Sequence, residues 1–381
     1  MKTFRILLFA AALFMLPLSC NKGGNNNNGD DTDPPGDGAP AQKIWRSDFV
    51  RGADISWASE MESGSKLFRK ASGEAPSDIM EVLKSTGIQA IRLRVWVNPH
   101  DSRGWSGMLD VANVSERAAK AGLDVMIDFH YSDFFTDPSR QTIPEEWKED
   151  SGDIDAMCDH VSIHTESVLA LLNYLHVSPK WVQIGNETRT GMLWPDGKIN
   201  GNDFSNFAKL FKAGADAAKK VFPDVKIIAH KENAYQDQTW WFQGLKNAGA
   251  DFDICGLSHY PQETKDADQA NADALKNIAN IASSLGKPVM VVEIGVKTPN
   301  NEAEATRVLQ EFMDGAVEIP KCIGVFYWEP EVYGWWKPAV YKDKDYLKTI
   351  PPSYYDGEWN AYGMGAFKES GYPSKVMEVF K

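Results

Sequence analysis

Short apolar runs recur along the chain, each bounded by turn residues. Most are followed by a stretch whose apolar positions return every three or four residues. The runs at 49–56 (FVRGADIS), 90–97 (AIRLRVWV), 124–131 (DVMIDFHY), 181–187 (WVQIGNE), 226–232 (KIIAHKE), 254–260 (ICGLSHY), 288–295 (PVMVVEIG) and 323–329 (IGVFYWE) predict eight strands. Helical spacing predicts helices over 78–85, 111–121, 154–175, 204–221, 268–285 and 302–317. In the first, Ile79, Val82 and Leu83 share a face, and Gly87 follows as a stop. Parallel strands need crossover connections, so this alternation implies a parallel sheet with helices packed on it. Eight repeats favour a closed α/β structure, the (β/α)8 TIM barrel, over an open sheet. An open doubly wound sheet is the runner-up, but no glycine-rich phosphate loop follows the first strand. No second linker and no solenoid period interrupts the pattern, so one domain is expected over 43–381.

The N-terminal stretch has a different character. Lys2 and Arg5 precede an apolar run at 6–18, too short to span a bilayer comfortably and placed where a signal peptide sits. The run ends at Ser19-Cys20, which suggests a bacterial lipoprotein signal over 1–20 with Cys20 as the lipidated residue. An ordinary signal peptide with an incidental cysteine is the alternative. Residues 21–42 contain four consecutive asparagines, several Gly and Pro, and Asp30, Asp31 and Asp33. Such a segment buries no apolar surface and reads as a disordered tether.

Composition narrows the partners. Net charge is −13 and the sequence pI is near 5.1, which argues against nucleic acid or an anionic membrane surface as the target. Cys158, Cys255 and Cys322 are an odd set without CxxC spacing, so no zinc site is expected. Cys255 and Cys322 fall in expected buried strands, where thiols act as small hydrophobes. Core packing explains many of the 13 Trp and 12 Tyr, and several stand beside polar residues in expected loops, which favours stacking platforms for sugar rings.

Polar residues collect at the C-terminal ends of the strands: Asp54, Arg94, His130, Asn186-Glu187, His230, His259-Tyr260, Glu293 and Trp328-Glu329. That is the face on which such barrels carry their chemistry. Glu187 ends the fourth strand and Glu293 the seventh, so their side chains can converge over the barrel. Two carboxyl groups, one protonated and one ionised, are what glycosidic cleavage needs. A separation of about 5–5.5 Å would mean retention and roughly 6.5–9.5 Å inversion. Asn186 is a candidate donor to a sugar hydroxyl. Arg94 is expected to hold Glu293 ionised, Tyr260 to hydrogen-bond it, and burial to keep Glu187 protonated.

The segments RGADISW (51–57), IRLRVWVNP (91–99), IDFHYSDFFTDP (127–138), QIGNE with GMLWP (183–195), GLSHYP (256–261), VVEIG (291–295) and GVFYWEP (324–330) resemble glycoside hydrolase family 53, the endo-β-1,4-galactanases. The resemblance runs from about residue 51 to the C-terminal end. It implies internal cleavage of β-1,4-galactan, the side chain of type I arabinogalactan in pectin, with retention. Glu187 matches the acid/base and Glu293 the nucleophile. By the same matching, Asp54, Arg94, His130, Asn186, His230, Tyr260 and Trp328 surround the sugar at the cleavage point. Trp96, Trp194, Trp335 and Trp336 are candidates for more distant subsites. His259 stands where the family more often has Phe or Tyr, and the two residues after His230 also depart from its pattern. Some bacterial members carry calcium in a long loop after the seventh strand. Here that loop, 295–302 (GVKTPNNE), is short with one carboxylate, and calcium wants six to eight oxygens, so no metal or cofactor is expected. Two alternatives stay open: another β-glycanase of the same clan, such as a mannanase or xylanase, and a surface glycan-binding lipoprotein without catalysis. The expected location is the bacterial outer membrane, through the lipid anchor, as a monomer.

Overall fold

The computed structural model describes residues 45–100, 103–298, 301–334, 336–342, 346–349 and 361–381. The expected signal segment, Cys20, the tether and Trp335 lie outside the described residues.

Eight parallel strands close into a barrel: β1 (Val50–Asp54), β2 (Ala90–Val95), β3 (Asp124–Phe129), β4 (Trp181–Ile184), β5 (Lys226–Lys231), β6 (Ile254–His259), β7 (Val289–Ile294) and β8 (Cys322–Trp328). Each pairs with its neighbours in sequence, and β8 returns to β1, with Val50 opposite Gly324 and Asp54 opposite Trp328. The expected (β/α)8 TIM barrel is therefore the observed fold.

The helices predicted from periodicity are present as Ile79–Ser85, Met108–Lys120, Ile154–Tyr174, Ser205–Val221, Ala267–Leu285 and Glu302–Glu318. Several open on side-chain caps: Asp78 accepts from the Met80 N–H, Asp153 from Asp155 and Ala156, Asp266 from Gln269, and Asn301 from Glu304. Ala58–Ser63 and Thr239–Asn247 are helices the periodicity did not show. They are short, and tertiary burial of Trp241, Phe242 and Leu245 holds the second in place. After β8 the outer layer is completed by a 3-10 turn, Lys375–Phe380, which buries Val376, Met377, Val379 and Phe380. Gly214 lets the Ser205–Val221 helix approach the barrel closely, because a Cβ there would lie 2.6 Å from Tyr131 Oη.

Inside the barrel the strand period of two sorts side chains into layers. Ala90, Met126, Trp181, Ile228, Ile254, Met290, Val292 and Phe326 form an apolar plug toward the strands' N-terminal ends. Two residues on along the same phase the lining turns polar: Asp54, Arg92, Asp128, Gln183, His230 and Ser258, all buried. The polar layer stands between this plug and the C-terminal ends of the strands. Cys255 and Cys322 are buried in β6 and β8 as the sequence indicated.

Gly52 fits this plug closely, since a Cβ at that position would lie 2.2 Å from the Phe326 ring. Phe326→Ala should destabilise by about 3–5 kcal/mol through the cavity it leaves, and Gly52→Ala by about 1–3 kcal/mol through overpacking. The double variant should lose less than the sum, because the vacated ring space takes the new methyl. Urea unfolding of the three variants checks this; strict additivity would show that the two positions do not share that space.

Candidate active site

The centre of the polar layer is Arg92, 1% exposed. Its Nη1 donates to Asp54 Oδ2 at 2.7 Å. Its Nη2 lies 2.7 Å from Glu293 Oε1 and 2.8 Å from Asp128 Oδ2, and donates to Asn186 Oδ1 at 2.9 Å. Gln183 Oε1 accepts from Nε and Nη2. Burial opposes the guanidinium charge, but Asp128, Glu293 and Asp54 outweigh it and raise its proton affinity further.

The two glutamates reach the cavity by irregular backbone. On β6 and β7, Leu257 pairs with Val291 but Ser258 pairs with Glu293, so Val292 is skipped. Val292 and Met290 already point inward. Unbroken alternation would turn Glu293 outward to the helices; the bulge re-aims it into the barrel. Glu187 follows Gly185 and adopts a left-handed φ of +46°. Tyr131, Asn233 and Glu329, just past the ends of β3, β5 and β8, have φ of +50°, +60° and +48°. Non-glycine residues rarely take this conformation, and it gathers here at the mouth of the barrel.

The cavity at this mouth has a volume of about 520 Å³ and is lined by Asp54, Arg92, Arg94, His130, Asn186, Glu187, Tyr260, Glu293 and Trp328 among others. Tyr260 Oη donates to Glu293 Oε2 at 2.7 Å, as expected, and Ser258 Oγ lies 3.4 Å from the same oxygen. Burial raises both glutamates, but unequally. For Glu187, Glu293 and Glu232 add repulsion, and its carboxyl is held well above the ordinary range. For Glu293, Arg92 and Tyr260 work against burial, so it holds its proton less tightly than Glu187. His130 Nδ1 accepts from the Thr136 N–H at 3.0 Å, which places the ring proton on Nε2, 3.0 Å from Asp128 Oδ2. Trp328 is partly exposed, stacks at 15° on Tyr362 and meets Tyr260 edge-on.

The geometry changes four sequence-based assignments. Arg94 does not hold Glu293; Arg92 does. Residues 90, 92 and 94 all point inward, and Arg92 lies at the level of the nucleophile candidate with Arg94 one layer above. Arg94 instead pairs with Glu329 and lies 3.8 Å from the Trp57 ring centroid, with Phe135 and Trp96 at 4.6 and 4.9 Å. Its Nε and Nη2 have no hydrogen-bond partner among the described residues, and it still lines the cavity. Burial, opposed by Arg94, pushes Glu329 up to about 8. Second, His230 is fully buried and lies beneath the cavity: Glu187 N–H donates to its Nδ1 at 3.2 Å, and its Nε2 meets Ser258 Oγ at 2.9 Å. It holds the Glu187 backbone and is not part of the cavity lining. Third, Trp96 is 3% exposed and packs among Trp57, Phe134 and Phe135, which leaves no face for a ligand. Trp336 likewise packs on Trp57. Fourth, His259 turns away from the cavity, bonding Asn271 Oδ1 at 2.8 Å and packing on Phe312 at 4.6 Å. It alters no subsite directly. Trp194 is partly exposed outside the cavity lining, with its Nε1 donating to Thr190 O.

The glycosyl hydrolase family 53 model matches residues 50–348. The chain belongs to glycosyl hydrolase family 53. A probable arabinogalactan endo-β-1,4-galactanase A of Aspergillus terreus is 34% identical over 318 residues, covering 76% of this chain and 86% of its relative. An arabinogalactan endo-β-1,4-galactanase of Thermothelomyces thermophilus is 31% identical over 305 residues, 74% and 89% of the two chains. Among solved structures, one described with two fungal β-1,4-galactanases superposes with a TM-score of 0.72 at 27% identity, covering 87% of this chain and 98% of that one. The family 53 catalytic domain of Ignisphaera aggregans shares the fold, with a TM-score of 0.75 at 24% identity over 90% of this chain and 97% of that one. This family 53 member is a glycosidase.

Arg92 and Asp128 were the functional residues missed by sequence reasoning. A signal was present: in AIRLRV two arginines stand two apart in an apolar strand, so both must enter the barrel, and a buried cation demands carboxylates. In the 295–302 loop, residues 299–300 lie outside the described residues. Among the described residues no group of three His, Cys, Asp or Glu is arranged to hold a metal ion.

Arg92→Met should cost about 3–5 kcal/mol at neutral pH, because it leaves Asp54, Asp128 and Glu293 buried without their cation. Folded-state carboxylates without that cation bind protons more tightly than in the unfolded chain. The deficit should therefore be smallest at acid pH and grow as pH rises through their raised values. Denaturation midpoints across the acid range test this. A deficit independent of pH would mean that the loss is one of packing and not of charge.

Proposed function

We propose that this chain hydrolyses β-1,4-galactosidic bonds inside galactan and type I arabinogalactan by double displacement with retention. Glu187 is the acid/base and Glu293 the nucleophile. The observation that carries the reading is the unequal setting of the two carboxyls. Glu293 has a cation and a phenol on its two oxygens, while burial and neighbouring carboxylates leave the proton on Glu187. The printed activities of the relatives support galactan as substrate.

In the first half-reaction a Glu293 oxygen bonds to the anomeric carbon while the bond to the departing sugar oxygen breaks. Glu187 gives that oxygen its proton. In the second, the Glu187 carboxylate takes a proton from water, whose oxygen bonds to the anomeric carbon and displaces Glu293. Arg92 spreads positive charge over Glu293 as it departs again as a carboxylate. Asn186, Arg94 and His130 offer polar atoms to the sugar at the cleavage point, and Trp328 an aromatic face. The chemistry uses protein groups only, with no calcium or cofactor. For location, we propose export and lipidation at Cys20, with residues 21–42 tethering a monomeric enzyme to the outer membrane surface. The apolar run ending at Ser19-Cys20 and the low-complexity composition after it support this.

Incubation with β-1,4-galactan should release mixed oligosaccharides early, and NMR should show the β-anomer as first product. An α-anomer would sink the double displacement. Glu187→Gln should lower kcat on galactan by about 10²–10⁴-fold, and Glu293→Gln should abolish turnover; survival of activity in the latter would remove the nucleophile assignment. Labelling cells with a fatty-acid analogue should mark the full chain but not Cys20→Ser, and label on both would exclude Cys20 as the anchor.

A further inference from the structure

The two residues after His230, which depart from the family pattern, form a charged pair beside the acid. Lys231 is the last residue of β5 and is 1% exposed. Its Nζ donates to Glu232 Oε1 at 2.7 Å. Glu232 is 5% exposed and lines the cavity, and its second oxygen is buried without a partner among the described residues. Arg189, which follows Glu187 in the loop after β4 and also lines the cavity, brings its Nε to 3.4 Å from Glu232 Oε1. A buried lysine bonded to the adjacent carboxylate is costly to desolvate.

We propose that Lys231 and Glu232 are a positioning pair for the acid: the lysine holds Glu232 at the cavity wall, and the balance of charge in the pair controls how tightly Glu187 keeps its proton. This rests on the assignment of Glu187 as acid/base. The charged and titratable groups that act on Glu187 come from every side: Glu293 from β7, Tyr260 from β6, Asp137 from the loop after β3, and Glu232 with Lys231 from β5. Glu232 repels a charged Glu187, and Lys231 attracts it, so in the intact pair the two effects oppose each other. Neither residue takes a bond from the substrate in this role.

The signature is a pair of opposite shifts. The enzyme needs Glu187 protonated, so kcat/KM falls as pH rises through that group. Glu232→Gln removes the repulsion and leaves Lys231, which should move the basic limb of the kcat/KM profile down by about one pH unit. Lys231→Met leaves Glu232 charged, with Arg189 against it, and should move the limb up. The double variant should return near the wild-type position, and Lys231→Arg, which keeps the charge, should not move the limb. A limb unmoved by Glu232→Gln, or singles that shift it in the same direction, would overturn the proposal. Should Lys231→Met fail to fold, as judged by circular dichroism, Glu232→Gln and Lys231→Arg decide alone. Wild-type protein that leaves galactan intact would sink the substrate reading instead. The limbs are then followed on a phenyl β-glycoside that it does cleave, so the two failures stay distinct.

Discussion

One guanidinium organises the catalytic end of this barrel. Arg92, on β2, meets Asp54, Asp128 and Glu293 on β1, β3 and β7. Three carboxylates brought together in a dry interior would repel one another and take up protons. With the arginine among them they are compatible with a folded barrel, and one can remain a nucleophile. Asn186 and Gln183 tie the same cation to β4 and the segment that follows it, which presents Glu187. The charge that permits the cluster therefore also ties the segment bearing Glu187 to the strand bearing Glu293.

The barrel divides labour by depth. The lower interior is apolar and close-packed, with Phe326 against Gly52. It supplies the rigid floor that a site built on strands requires. The polar layer is bonded within itself, and His230 and Gln183 serve it without touching the cavity. Asp54 and Arg92 of that layer reach the cavity from below, and Glu187, Arg94, Tyr260 and Trp328 line it at the upper rim. Arg94 shows how narrow the distinction is: two residues along from Arg92, it is surrounded by aromatic rings and pairs with a single carboxyl, that of Glu329, where Arg92 meets three.

Chemical asymmetry between the glutamates comes from neighbours, since the residues are identical. Glu293 is served by Arg92 and Tyr260; Glu187 is surrounded by carboxylates and buried surface. The backbone at the rim contributes by holding several residues in the left-handed region, which turns side chains over the barrel mouth that a regular strand would direct elsewhere.

Hydrophobic periodicity by itself determined the strand count, most of the helices and the end of the barrel that carries the chemistry, because burial imposes the same two periods wherever these elements pack. The motif segments likewise marked Glu187 and Glu293. Tertiary structure alone decided how those residues are used. Strict alternation would have sent Glu293 outward, and the irregular register of β7 with both β6 and β8 turns it in. Alternation placed both arginines of β2 inside, but depth along the barrel gave the nucleophile to Arg92 and the aromatic rim to Arg94. Trp96, His230 and His259 look like ligand-facing residues in a linear chain. Their burial depends on partners far away in sequence, such as Trp57, Ser258 and Phe312, and no local pattern encodes a distance between strands.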